Sequence, residues 1–527
     1  MRQLSRRRLL LGAAALGGTA ITLGFPPFAG AVPERRTALA LGPADADFRR
    51  LAGRGYNPRF RGSPEKIFLP GTPAETTAAV QQSLDEGLRC APRSGGHCFA
   101  NFVDSPENRA IIDLSQLTDV RYDEGLRAYA VGAGADLGTV YEKLFRGWGV
   151  TIPGGTCLGV GVGGHATGGG FGALSRTHGA VVDHLYGVEI VVVDKDGNAS
   201  LELATRENNP ELWWAHTGGG GGNFGVITRF LLRSHDTDGS SLDALLPKPP
   251  RQMLSASIYL PVADENSFTR FVGNYLNIFE QNTASGTRFA DLFAALNVGS
   301  LVGSFSQVTT QLAADRPDAD ALHAEFVSAL VEGIWPPPIV TPPVRRSFLD
   351  HMNQVSTPRG PAPRPGAYKA AFLRKALSPD QIRLIYRYLM SPQSGGMESG
   401  MEFVPMGGAI NSRPSDATAM PARDSFMTMV LLGSWSNPAA EGERVQAIRS
   451  LYSNLFATTG GVPVPGGATG GSYINYPDPD LRDPRYNGSG VPWHTLYYGA
   501  NYQRLQQVKA RWDPGNVFRH GLSIELP

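Results

Sequence analysis

Between Gly159 and Gly172 the chain places eight glycines in fourteen residues, reading Gly-Val-Gly-Val-Gly-Gly-His-Ala-Thr-Gly-Gly-Gly-Phe-Gly. Glycine costs about 1 kcal/mol per residue in a helix relative to alanine and brings no side chain to a core. Regular structure with packed side chains is therefore not expected from Thr151 to Gly172. What such a run offers is backbone N–H groups that can approach a bound anion closely, and a diphosphate is the natural guest. The string contains G-x-G-x-x-G at Gly159, Gly161 and Gly164, but it follows Pro153-Gly-Gly rather than an apolar strand. Further glycines fill the would-be helix, so a dinucleotide-type βαβ unit is not the reading. A second run, Gly218 to Gly222, leads into Asn223-Phe-Gly225 and strengthens the reading as cofactor loops.

The rest of the chain frames these loops. With 527 residues and 42% hydrophobic composition it is long enough for several domain-sized cores and lacks the apolar depletion of disordered sequences. Lys+Arg and Asp+Glu counts of 48 and 47 leave a formal net charge of +1, so neither nucleic acid nor a membrane is expected as a partner. The N-terminus, Met1-Arg-Gln-Leu-Ser5-Arg6-Arg7-Arg8, runs into an apolar stretch to about Leu23 and a small-residue site at Ala29-Gly30-Ala31. Because that stretch is short for the roughly 20 residues that span a bilayer, residues 1–31 read as a twin-arginine signal peptide. Such signals serve proteins exported already folded. Secretion, or placement in the cell envelope, by the twin-arginine machinery is expected, with a tightly held cofactor as cargo. Of three cysteines, Cys90, Cys98 and Cys157, the first two could pair, which leaves Cys157 as a thiol or as something chemically committed.

The early chain alternates strand and helix. Residues 32–60 read as a surface wrap. Lys66 to Pro70 reads as a strand, and Thr72-Pro73-Ala-Glu75 as a helix start with a capping box, followed by Val80, Leu84 and Leu88 at four-residue spacing. Strands are expected at Leu88–Pro92 and Ala110–Leu114, and a helix capped by Asp136 with Leu137, Val140, Tyr141 and Leu144 on one face. Gly187–Val193 and Ala199–Leu203 form an expected hairpin, Asn209-Pro210-Glu211 starts a helix, and Val226–Leu232 is a strand. A proline-bearing linker over 239–252 then leads to a second domain mixing strands (Met253–Leu260, Ser425–Leu432) and helices (Ser267–Glu280, Asp380–Leu389).

Five segments in order, RSGGHCF (Arg93 to Phe99), PGGTCLGVGVGGHATGGGFG (Pro153 to Gly172), WWAHTGGGGGNFGVITRF (Trp213 to Phe230), YINYPD (Tyr473 to Asp478) and RWDPGNVF (Arg511 to Phe518), resemble the signatures of berberine-bridge-enzyme-like FAD-linked oxidoreductases of the vanillyl-alcohol-oxidase (PCMH-type) superfamily, above all bacterial members that oxidise sugars or glycosylated antibiotics. The resemblance implies an α+β fold. A PCMH-type FAD-binding domain over 60–238, completed by a tail segment 470–527, faces a substrate domain over 253–465 built on an antiparallel sheet. It also implies FAD on two covalent links, His97 to the 8α-methyl carbon and Cys157 to C6. Read without the resemblance, His97 is equally a buried histidine in a tight loop and Cys157 an inert thiol, while a zinc site from His97, His165, His178 and Cys157 lacks structural-zinc spacing.

Further cofactor contacts implied by the resemblance are Arg93, Ser94, Gly95, Gly96, Val160, Gly161, Gly163, Gly164, Gly168, Gly169, Gly221, Asn223, Gly225, Val226 and Asn516, with Val160 governing oxygen access. His165 is the family histidine that supports reduced, anionic flavin by positive charge or hydrogen-bond donation. Tyr476 is the implied base for an alcohol O–H, with Tyr473 in support, although an aromatic-rich tail also accounts for both as structural tyrosines. The resemblance also implies that some antibiotic-oxidising relatives use a second tyrosine on the substrate-domain sheet; Met401 to Asn411 carries none, which departs from that pattern and speaks against a second oxidation step. The function implied is a secreted oxidase that moves a hydride from an alcohol, a sugar hydroxyl foremost, to flavin N5 and returns the electrons to O₂ as H₂O₂. Oxidative cyclisation or dehydrogenation of a secondary metabolite, and flavin binding without turnover, are the alternatives.

Overall fold

Three sheets carry the chain, in a computed structural model that describes residues 37–527 apart from 236, 238–240, 262–263, 300–305, 357–363 and 395–398. The signal peptide expected at 1–31 lies outside the described residues. The first sheet orders Leu39–Leu41, Lys66–Leu69, Ala110–Asp113 and Cys90–Arg93; its last three strands are parallel. The second is antiparallel and orders Val120–Asp123, Ala128–Gly132, Val226–Leu232, Leu185–Val193 and Ala199–Thr205. The third, also antiparallel, runs Ile339–Val340, Gln252–Leu260, Ser306–Ala313, Phe293–Gly299, Ser399–Pro405, Met427–Ser434 and Gly366–Leu373, with Val344–Ser347 also pairing Gln252–Leu260.

Local chemistry explains the elements that frame the site. Helix Pro73–Asp85 starts where the Thr72 hydroxyl accepts the Glu75 N–H at 3.1 Å, and the Glu75 carboxylate reaches back to the N–H of Gly71 rather than of Thr72. Helix Leu137–Trp148 is capped by Asp136, which accepts the Thr139 N–H at 2.7 Å, and it ends on Gly149 at φ 70°. All four of its predicted face residues, Leu137, Val140, Tyr141 and Leu144, are buried. In the third sheet, helices Glu265–Gln281, Ala319–Val331 and Glu441–Leu455 contact its strands, and period-2 alternation sends Phe372 of strand Gly366–Leu373 to the opposite side from Lys369. Phe372 packs on Tyr473, whereas Lys369 lies 5.0 Å from the Tyr452 ring of helix Glu441–Leu455. On the Phe372 side a buried cluster of Phe171, Val182, Phe372, Met406, Ile410, Met420 and Tyr473 joins the glycine loops to this sheet.

Several expectations are corrected. The run 151–172 does hold regular structure: Val162–Thr167 is a short helix, because Val162, Ala166 and Thr167 supply buried side chains and Gly163 lets the helix close on Ser94, whose Cβ would lie 2.8 Å from a Cβ there. The linker over 239–252 is not a free span, since Leu245 and Leu246 are buried. Residues 32–60 do more than wrap the surface: Leu39–Leu41 is a sheet strand and Arg54–Asn57 reaches the candidate site. No disulfide joins Cys90 to Cys98; burial pushes their thiols up to about 12 and about 11.

Candidate active site

The loop that follows strand Cys90–Arg93 carries His97, and the loop before helix Val162–Thr167 carries Cys157. Both are half-buried, within a strip of partly exposed backbone formed by Ser94–Phe99, Gly155–Cys157 and Gly159–Val160. The two loops meet backbone to backbone. A Cβ on Gly95 would collide with the Gly161 N–H and one on Gly161 with the Gly95 N–H, so only glycine fits at either position. Gly96, at φ 79°, turns the chain so that its carbonyl accepts the Tyr56 N–H at 2.8 Å.

His97 stacks on Tyr56, ring centroids 4.9 Å apart. Burial, and then the charge of Arg54, push its pKa below the ordinary histidine value, so the imidazole is neutral at neutral pH. Cys157 stands close enough to Tyr56, Tyr141 and Tyr476 for a thiolate there to raise each phenol. Tyr141 donates to the Gly155 carbonyl at 2.7 Å, while the Gly155 N–H donates to Nε2 of His165 at 3.1 Å. Burial takes His165 down to about 4. A neutral ring whose Nε2 accepts has hydrogen-bond donation from Nδ1 to offer.

Tyr473 and Tyr476 have different roles. The buried Tyr473 hydroxyl accepts the Gly170 N–H and the Asn475 amide, each at 2.9 Å, and so holds the glycine loop. The support it gives Tyr476 is positional, through the loop and the edge-on ring contact. The half-buried Tyr476 hydroxyl makes no hydrogen bond with any described residue. Its ring meets Tyr473 edge-on at 5.4 Å and stacks on Phe99 at 5.6 Å; Phe99 in turn stacks on Tyr368 at 4.1 Å. Burial, then the charge of Glu402, then Tyr473 and Cys157, hold Tyr476 well above the ordinary phenol value, as a neutral phenol.

Besides Tyr56, two of these residues were missed in the sequence for different reasons. Glu402 is an acidic side chain in the middle of strand Ser399–Pro405, half-buried, with no ion pair or hydrogen bond to a described residue and a carboxyl raised by burial; a lone carboxylate inside Met-Glu-Phe-Val-Pro was the available signal. Tyr368 had none, being one tyrosine in an apolar strand. It brings a tyrosine of the substrate sheet beside Phe99 from Gly366–Leu373, a strand outside the Met401–Asn411 stretch on which the expectation of a single oxidation step rested.

Other expected contacts divide. Gly164 is exposed with open space where a Cβ would stand, and Gly221 is exposed as well. Ser94, Gly163 and Val160 line the same partly exposed strip, and the Asn516 side-chain oxygen is shielded from solvent without a partner. These features fit an FAD cradle, an exposed backbone groove between loops that pack too closely for a side chain at Gly95, Gly161 and Gly163. Arg93 does not contribute its side chain, which is buried against Asp113 and the Leu51 carbonyl. Gly168 and Gly169 close against Asn475 and Met420, Asn223 ties Gly219 and Gly220, and Gly225 and Val226 are buried where strand Val226–Leu232 begins. Those five shape the loops without opening onto the groove.

With this geometry in place, the comparisons identify the class. Residues 64–199 match the family described as "FAD binding domain" and residues 472–525 the one described as "Berberine and berberine like". The chain is 43% identical to aclacinomycin-N/aclacinomycin-A oxidase of Streptomyces galilaeus over 100% of its length and 99% of that protein. It is 30% identical to hexose oxidase of Chondrus crispus over 89% of this chain and 92% of that one. A glycopeptide hexose oxidase solved with teicoplanin superposes with a TM-score of 0.88 at 42% identity, covering 93% of this chain and 99% of the other. The chain belongs to the berberine-bridge-enzyme-like family of FAD-linked oxidoreductases and has the PCMH-type flavin-binding fold. Among the described residues no helix is long and apolar enough to cross a membrane.

Proposed function

We propose that this enzyme oxidises a sugar hydroxyl, free or on a glycosylated natural product, to a carbonyl, with O₂ as final acceptor and H₂O₂ as by-product. The observation that carries the reading is the Tyr476 hydroxyl, without a hydrogen-bond partner among the described residues and beside the raised carboxyl of Glu402, at the edge of the groove that holds His97 and Cys157. FAD bound in the groove supplies the two-electron acceptor that takes hydride from the alcohol carbon and later passes the electrons to O₂.

The protein's own groups manage the proton. Tyr476 is held as a phenol, so it orients the alcohol oxygen by a hydrogen bond, and the proton that leaves the O–H passes to Glu402, whose burial makes it a better base than an ordinary carboxylate. Phe99 and Tyr368 present ring faces beside Tyr476 against which the C–H faces of a sugar pack. His165 donates from Nδ1 toward negative charge that develops during reduction. His97 and Cys157 hold the flavin covalently in this reading. Residues 1–31 direct the folded, loaded enzyme through the twin-arginine route. The names of the relatives, oxidases of aclacinomycin and of hexose, favour a sugar over the alternatives of oxidative cyclisation and of flavin binding without turnover.

A panel of hexoses, disaccharides and glycosylated natural products, incubated in air and assayed for H₂O₂ and for the organic product, tests the reading. It expects H₂O₂ with a ketone, lactone or acid of the sugar. A coupled ring product, or no turnover with any glycoside, would contradict it.

A further inference from the structure

The segment Arg54–Asn57 is fastened to the His97 loop at every residue that has something to offer. Arg54 donates to the Ser94 carbonyl and pairs with the buried carboxylate of Asp113 at 2.8 Å. The Tyr56 N–H donates to the Gly96 carbonyl at 2.8 Å. The buried Asn57 amide donates to the Phe99 carbonyl at 2.7 Å and to the Gly366 carbonyl at 2.9 Å, and its oxygen accepts the Gly366 N–H at 3.1 Å. Three residues of one short stretch thus grip the two sides of His97 in sequence, and the fold spends an N-terminal segment outside the glycine-loop signatures on doing so. What they deliver is the Tyr56 ring, 4.9 Å from the imidazole with planes 25° apart.

We propose that Tyr56 is the positioning residue for covalent attachment of the flavin at His97. This rests on the reading of His97 as a tether. In the attachment a bond forms between an imidazole nitrogen and the 8α-methyl carbon. One methyl C–H and the imidazole N–H are lost as protons, and the two electrons released pass to dioxygen, which leaves as H₂O₂. The protein must supply a neutral imidazole with one nitrogen aimed at a fixed point. Neutrality follows from burial and the adjacent Arg54 charge. Aim follows from Tyr56: a half-buried histidine in a glycine-flanked loop has open rotamers on either side, and a ring stacked on one face leaves it a single plane. The Tyr56 and Tyr368 hydroxyls stand close enough to influence each other's titration, which sets the far end of that ring against the substrate sheet.

The test uses full-length holoenzyme in a single-tether background, Cys157→Ser, where covalent flavin can only be on His97. C157S and C157S/Y56L are purified with bound flavin and denatured in acid, and the polypeptide is weighed intact. C157S is expected to keep flavin on the polypeptide, and C157S/Y56L to lose at least ten-fold of it while still carrying flavin non-covalently before denaturation, which shows that the groove is folded. C157S/Y56F, which keeps the ring, is expected to stay attached. Where C157S/Y56L yields no folded protein, C157S/Y56Q takes its place with the same expected loss. Undiminished attachment without the ring overturns the proposal and leaves the tether standing. Loss of flavin from C157S itself overturns the tether, and the proposal with it.

Discussion

The Gly155 N–H donates to Nε2 of His165 at 3.1 Å, and this hydrogen bond fixes the histidine's state. A ring nitrogen that accepts carries no proton, so the proton sits on Nδ1, and burial keeps the ring uncharged down to about pH 4. The expected outcome is that replacing His165 by Ala slows anaerobic flavin reduction by about 10²-fold without moving any inflection of its pH profile between 5 and 8. An inflection near 6.5 in the wild type that disappears in H165A would show a charged histidine instead.

Glu402 gives the profile its acid limb. Desolvation holds its carboxyl above the ordinary carboxylate range, with no cation paired to it among the described residues. Flavin reduction should fall as pH drops through that raised value, since the protonated acid accepts nothing. Glu402→Gln should lower the rate by roughly 10²-fold and flatten the limb. Stopped-flow reduction from pH 4 to 8 in both proteins decides this.

Lys369 holds the Tyr476 loop from behind. Its ammonium, 5% exposed, donates to Asp478 at 2.7 Å and Asp480 at 2.8 Å. Asp478 is two residues beyond Tyr476. Lys369→Met leaves the buried Asp478 carboxylate unpaired and should cost about 3–5 kcal/mol of stability, read by denaturant unfolding; a loss under 1 kcal/mol would mean that the pair is incidental.

Acid should destabilise the protein before its carboxylates titrate. His184, His216 and His351 are buried and each is lowered to about 4, whereas unfolded histidine titrates near 6.5. Between those values the unfolded chain binds more protons, so stability rises with pH there. It is fully present above about 6.5 and is lost as pH falls toward about 4, at up to about 1.4 kcal/mol per pH unit for each histidine. Melting temperatures at pH 7 and pH 5 should differ by several degrees, and a flat Tm would contradict the burial.

What the sequence disclosed, and what it withheld, follows from the range over which each signal acts. The Asp136 cap and the four apolar residues after it lie within one helix, and both survive intact in the structure. The glycine loops were legible because backbone-to-backbone contact, as between Gly95 and Gly161, excludes every other residue. Tyr56 and Tyr368 were not, because each reaches the groove only through pairing between distant segments and has no local pattern, and Glu402 showed only as a lone carboxylate in a strand-like stretch. Tyr473 shows the opposite failure: it stands in the right motif, yet its hydroxyl is taken by Gly170 and Asn475.

The account's central claim is that Tyr476 faces the reacting alcohol, and anaerobic single-turnover reduction of the flavin by an accepted sugar tests it most directly. With wild-type enzyme the flavin should bleach, more slowly when the reacting carbon bears deuterium. In Y476F the bleaching should slow by about 10²-fold, the cost of losing orientation, at unchanged flavin content. Equal rates in the two proteins would contradict the claim and place the alcohol elsewhere on the sheet.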